Sequence, residues 1–220
     1  MRRHMFRWSP ARIIAGAFGS ISFIGSILLY LPWGHMPGQS ITYVDALYTA
    51  VSALCVTGLS IVDTAAVFNP FGQAILAVLI QVGGLGVSTM GAGVLLMLGR
   101  KVGIRQRNLI HDTMNLDSYS GVVRFLRTLF ATTVFIEIIG AFLGYFVFRR
   151  DYEMMESIGL SIFHSISSFN NAGLTILTKE RSMEMYAEDP FMLILTTALV
   201  FVGGLGFIVC LLYTSPSPRD

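Results

Sequence analysis

The chain has 220 residues, 54% of them hydrophobic and only 13% charged, with a mean hydropathy of +0.67. Soluble domains carry about 25% charged residues, so this composition excludes a water-soluble globule and points to a membrane protein. A net charge of +2 is uninformative by itself, and two cysteines in apolar stretches, Cys55 and Cys210, give no disulfide framework and no metal-ligand spacing.

The basic N-terminus, with Arg2, Arg3 and Arg7, leads into an apolar run from Ile13 to Leu31. The run is longer than a signal-peptide core. No small-x-small cleavage site follows it, only Leu31-Pro32-Trp33, so a first spanning helix is expected over 12–31. A bilayer core needs about 20 apolar residues. Segment 43–55 is too short to cross, because at roughly 1.5 Å per residue it reaches less than about 20 Å. It is rich in small and hydroxyl residues, and Leu47, Val51 and Leu54 share a helical spacing. A half-helix that enters the membrane and turns back is expected there, followed by the tract Cys55-Val56-Thr57-Gly58-Leu59. A second span is expected over 71–98, carrying Gly83-Gly84-Leu85-Gly86.

Residues 100–121 are hydrophilic and open on Arg100-Lys101, which suits a cytoplasmic linker. A third span, 122–148, holds one acid, Glu137, among Phe135, Ile136, Ile138 and Ile139. Such a group either pairs with a polar group on another span or faces a pathway. A second half-helix, 157–169, runs into Asn170-Asn171-Ala172-Gly173-Leu174, and a fourth span over 190–212 carries Gly203-Gly204-Leu205-Gly206. Residues 213–220 read as a non-native or disordered tail. The domain organisation is therefore 1–99, linker 100–121, 122–212, and tail 213–220.

The two halves repeat. Ser52 and Gly58-Leu59 recur 115 residues later as Ser167 and Gly173-Leu174, and Val82–Gly86 recurs 120 residues later as Val202–Gly206. Self-similarity at a fixed offset marks a duplicated unit. The fold class expected is an all-α membrane protein of tandem helix–pore-loop–helix units, channel-like in plan. Lys and Arg cluster at the N-terminus and over 100–127, while Asp45, Asp63, Asp151, Glu153 and Glu188 fall on the opposite side. The N-terminus is thus expected in the cytoplasm of a multi-pass plasma-membrane protein, with both half-helices entering from outside.

A cation leaving water loses its hydration oxygens, and rings of backbone carbonyls replace them in selectivity filters. Turning consecutive carbonyls to one side needs backbone angles that Gly reaches cheaply. A half-helix aimed at the bottleneck adds its carbonyl-rich end, carrying about half a negative charge. Residues 55–59 and 170–174 have these parts in this order, so both tracts are expected to line an ion filter. The side chains of Asn170 and Asn171 either bring amide oxygens to the pathway or hydrogen-bond the loop, the second being expected for Asn171. Cys55 is expected to pack behind the filter. Gly83, Gly84, Gly86, Gly203, Gly204 and Gly206 are expected to sit inside spanning helices and let them pack closely. His164 is expected to bond nearby backbone. There is no Ser/His/Asp grouping, phosphate loop or metal cluster, so neither an enzyme, nor a cofactor, nor a nucleic-acid partner is expected. The alternative is a secondary transporter of another small solute; anionic substrates favour half-helix N-termini, whereas these tracts follow C-terminal ends.

The repeat, the tracts Val56-Thr57-Gly58-Leu59 and Asn170-Asn171-Ala172-Gly173-Leu174, and the paired Gly-Gly-Leu-Gly motifs resemble the membrane subunits of the Ktr/Trk/HKT superfamily of potassium transporters, over about residues 10–212. The first helix lies almost at the N-terminus, as in the Ktr branch. The resemblance implies potassium uptake, with K+ at the filter as the transported ion and Na+ as a coupling ion. It also implies a homodimer in membrane lipid and a cytosolic nucleotide-binding regulatory subunit. In HKT relatives a Ser at the first filter Gly accompanies sodium preference, so Gly58 implies potassium over a sodium-permeable relative. Four units are implied and two are present, so a fragment, the N-terminal half, is expected.

Overall fold

The computed structural model describes residues 10–86, 89, 122–177 and 183–205. Helix α1 (Pro10–Tyr30) ends just before Leu31-Pro32, because a proline disfavours helical angles in the residue it follows. Helix α2 (Tyr43–Cys55) starts from a capping box, in which Asp45 N–H donates to Thr42 Oγ1 and Thr42 N–H donates to the Asp45 carboxylate. After a short helix α3 (Thr64–Val67), α4 (Pro70–Gly84) opens on Asn69-Pro70-Phe71, with the Asn69 side chain capping two N–H groups.

The second half follows the same plan. Helix α5 (Val122–Phe148) is followed by α6 (Met154–Phe169) and α7 (Pro190–Gly204). Helix α7 opens on Asp189-Pro190-Phe191, 120 residues after the matching start of α4. Proline suits the first helical position, where its missing N–H costs nothing. The N–H groups of Met192 and Phe191, and Arg150 at 2.7 Å, hold the Asp189 carboxyl below the usual carboxylate range. That ion pair and the Tyr186 hydroxyl donating to Asp151 at 2.9 Å tie the α5 and α7 ends together.

Helices make up the described structure, and no strand occurs among the described residues. Helix α2 packs on α1 and α4, α6 packs on α5 and α7, and contact between α4 and α6 joins the two triplets. Leu29, Ala46, Ala50, Phe68, Leu76 and Ile80 fill the first half, and Val147, Phe148, Leu160, Phe163, Leu195 and Leu199 the second. The outward faces stay apolar: Phe23, Phe135, Ile138, Phe142, Ile194 and Phe201 are all exposed. Apolar surface this extensive suits lipid and not water. Segments Arg12–Tyr30 and Leu126–Phe148 are long and apolar enough to cross a bilayer. The remaining parts of the expected spans 71–98 and 190–212, the linker 100–121, Gly206 and the tail 213–220 lie outside the described residues.

The paired Gly motifs sit at helix ends: Gly83-Gly84 and Gly203-Gly204 are the last two residues of α4 and α7, and Gly86, at φ +83°, lies past the end of α4. The first glycine of each pair is closely packed. A Cβ on Gly83 would overlap the Leu54 carbonyl oxygen at the end of α2, and a Cβ on Gly203 would overlap that of Phe169 at the end of α6. The same contact recurs in both halves. Gly203→Ala is therefore expected to destabilise the protein by about 1–3 kcal/mol, the range for overpacking a close contact. Gly159→Ala, on α6 with nothing within 4 Å of its added methyl, is expected to hold or raise stability. Thermal unfolding in detergent checks both.

Candidate functional site

Both half-helices end in the same way. Thr57 N–H donates to Ser52 O at 3.1 Å and Ala172 N–H to Ser167 O at 2.8 Å, the six-residue closing bond of a Schellman motif. The residue that turns the chain is left-handed in each case, Val56 (φ 56°) and Asn171 (φ 58°), and Gly58 (φ 73°) and Gly173 (φ 67°) follow two positions later. Asn tolerates this region, whereas a β-branched Val is an outlier there. Left-handed residues at alternate positions give the two tracts the same backbone pattern.

The tract ends are held by matching serines. Ser52 Oγ donates to the Leu59 carbonyl at 2.5 Å and Ser167 Oγ to the Leu174 carbonyl at 2.6 Å. The two tracts then meet. A Cβ on Gly58 would lie 2.7 Å from the Ala172 carbonyl oxygen and 3.6 Å from Gly173 Cα. The Thr64 hydroxyl donates to the Thr175 carbonyl across the same junction. A recess of about 270 Å³ opens there, lined by Gly58, Ser60, Asp63, Thr64, Gly173 and Thr175 among others. The Asp63 carboxylate caps α3 through the N–H groups of Ala65 and Ala66.

Side chains of the tracts go several ways. Ala172 and Leu174 are buried, and Leu59 is exposed. Cys55 is exposed and not packed behind the tract. Asn170 turns away from the junction: its Nδ2 lies 2.9 Å from Gln81 Oε1, 2.9 Å from Ile166 O and 3.2 Å from Glu137 Oε1. Glu137 thus pairs with a polar group on another element. Asn171 Nδ2 lies 3.4 Å from the Phe169 carbonyl within its own loop. His164 bonds Thr196 on α7 at 3.0 Å, a side chain and not the backbone expected. No group of three or more His, Cys, Asp or Glu that could hold a metal ion occurs among the described residues. Sequence reasoning passed over Gln81, although an amide in an apolar span two residues before Gly83 is a visible signal. It noticed the Ser52/Ser167 match without giving the hydroxyls a task.

The family model described as TrkH, cation transport protein, matches residues 10–214. The chain is 36% identical over 203 residues to the Ktr system potassium uptake protein B of Bacillus subtilis (strain 168), covering 92% of this chain and 45% of that protein. It is equally similar, over the same shares, to the potassium/sodium uptake protein NtpJ of Enterococcus hirae. To the Ktr system potassium uptake protein B of Vibrio alginolyticus it is 36% identical over 211 residues, covering 94% of this chain and 45% of that protein. The chain spans about 45% of the length of these relatives.

The serine clamps are directly testable. Ser167 is 2% exposed, so Ser167→Ala strands the buried Leu174 carbonyl and is expected to cost about 1–3 kcal/mol. Ser20→Ala, at an exposed helix position, is expected to stay within about 0.5 kcal/mol. Thermal melts of the two variants read the difference.

Proposed function

Because the chain belongs to the TrkH family of cation transport proteins, we propose that it carries part of a potassium-uptake pathway through the cell membrane, with residues 55–59 and 170–174 as two strands of a carbonyl-lined filter. The single observation that carries this reading is the meeting of Gly58 with Ala172 and Gly173, each tract leaving the C-terminal end of a short helix. Two carbonyl-rich helix ends directed at one point favour a cation there. Non-helical backbone survives at membrane depth where protein buries it or water reaches it, and the recess beside Gly58 and Gly173 supplies the second condition.

In this reading 1–99 and 122–212 are two helix–pore-loop–helix units, the N-terminus and linker 100–121 are cytoplasmic, and the protein is multi-pass. Two tracts cover one flank of an ion, and further units of the same kind complete the ring. The relatives' greater length is consistent with that. A homodimer, a cytosolic nucleotide-binding subunit and Na+ as coupling ion follow from the family resemblance. A sodium-permeable variant is the second reading, since one relative bears the name potassium/sodium uptake protein; Gly58 weighs against it.

Rubidium uptake by the full-length protein, in cells lacking their own potassium uptake, tests the assignment. Gly58→Ser places atoms against the Ala172 carbonyl at a left-handed position. It is expected to cut rubidium uptake or potassium-over-sodium preference by about tenfold, the effect of roughly 1.4 kcal/mol at the bottleneck. Unchanged flux and selectivity in that variant would sink the filter assignment.

A further inference from the structure

The duplicated tracts differ at their first three positions, and the first of these carries a consequence. Cys55 and Asn170 are equivalent by the 115-residue offset, yet Cys55 is exposed and Asn170 is 8% exposed and wedged between three elements. Asn170 Nδ2 reaches Gln81 Oε1 on α4 (2.9 Å) and Glu137 Oε1 on α5 (3.2 Å), as well as Ile166 O on its own helix (2.9 Å). Its Oδ1 lies where a Cβ of residue 84 would be, so Gly84 is the floor of the same pocket. A second bond fixes α5 at this level: Ser165 Oγ donates to the Glu137 carbonyl at 2.8 Å.

Three features exclude simple space-filling. The acceptors come from both halves, Gln81 from the first and Glu137 from the second. The amide points away from the Gly58–Gly173 junction, so it is not an ion ligand through its side chain. It is also joined to the tract by a single residue, Asn171, whose left-handed angle sets the direction of Ala172 and Gly173. Holding the Asn170 side chain anchors the backbone one residue before that corner, and the Ala172 carbonyl beyond it already lies 2.7 Å from where a Cβ of residue 58 would be.

We propose that Glu137 and Gln81 are positioning residues for ion selectivity: their side-chain oxygens hold the Asn170 amide against Gly84 and thereby fix the second carbonyl tract relative to the first. The inference rests on the potassium-pathway reading. What matters at position 137 is an oxygen that accepts a hydrogen bond. The two N–H groups of the amide are shared among three acceptors, so loss of the Glu137 oxygen frees the amide to shift toward Gln81 and Ile166 and removes its tie to α5; a bond lost in a low-dielectric interior is costly.

The experiment uses the full-length protein in cells without native potassium uptake, with flux normalised to protein in the membrane. KM for potassium, maximal rate and the rubidium-to-sodium uptake ratio are measured for wild type, Glu137→Ala, Glu137→Gln and Gln81→Ala. Glu137→Ala is expected to lower the rubidium-to-sodium ratio and raise KM by about tenfold, the size of one buried hydrogen bond. Glu137→Gln keeps an oxygen acceptor and is expected to stay within about twofold of wild type. Gln81→Ala is expected to shift the ratio in the same direction as Glu137→Ala. A fall in maximal rate alone, with ratio and KM unchanged in both alanine variants, would overturn the proposal, as would equal impairment by Glu137→Gln and Glu137→Ala. If Glu137→Ala fails to reach the membrane, Gln81→Ala decides, and an unaltered ratio there overturns it. Absence of rubidium uptake by wild type sinks instead the potassium-pathway reading on which this stands.

Discussion

The carbonyl oxygens of Leu54 and Phe169 occupy the places that Cβ atoms of residues 83 and 203 would take. Everything near the junction is arranged around these two contacts. The last turn of a helix leaves carbonyls without intrahelical partners, and in an apolar surrounding each such group is costly. Here the end of one helix lies against the backbone of another, and only glycine permits the approach. The contact fixes how far α2 and α6 run before the chain turns. It therefore fixes where Val56 and Asn171 enter the left-handed region and where Gly58 and Gly173 come to rest.

Turning a β-branched residue left-handed costs roughly 1–2 kcal/mol. Val56 is held there by bonds on either side: the closing bond from Thr57 N–H to Ser52 O, and the Ser52 hydroxyl on the Leu59 carbonyl. Ser52 thus holds the start of the tract through its backbone and the end through its side chain. Ser167 does the same for the second tract, with 2.8 and 2.6 Å bonds. Ser52 Oγ also lies 2.9 Å from the Thr57 hydroxyl, a contact that Ala172 at the matching position of the second tract cannot make. Strain of this kind persists where neighbouring structure over-determines it, and it gathers at functional sites.

Duplication has preserved backbone contacts more faithfully than side chains. The glycine-to-carbonyl contact, the Schellman bond, the serine clamp and the Asx-Pro-Phe helix start all recur. The residues at 55 and 170 do not match, nor do 56 and 171. The second tract is braced by amide and carboxylate groups from α4 and α5, while the first begins at an exposed thiol. Two copies of one backbone plan thus carry unequal support.

By itself the sequence determined the membrane class, the helical content, the helices that precede the two tracts and the repeat offsets, because apolar run length, helical spacing and self-similarity are local properties. Helices 43–55 and 122–148 match the observed α2 and α5 bounds. Helix α6 begins at Met154, three residues before the expected start at 157, with Glu153 as its non-helical flanking residue. Only the tertiary structure decided that the glycine pairs form the last residues of their helices, against the carbonyls of Leu54 and Phe169. It also decided that Asn170 faces Gln81 and Glu137, that His164 reaches Thr196, and that Gly58 lies on Gly173. These are contacts between residues 30 to more than 100 positions apart. No periodicity encodes which of two packed backbones must give way, and that depends on the angle and distance at which the helices meet.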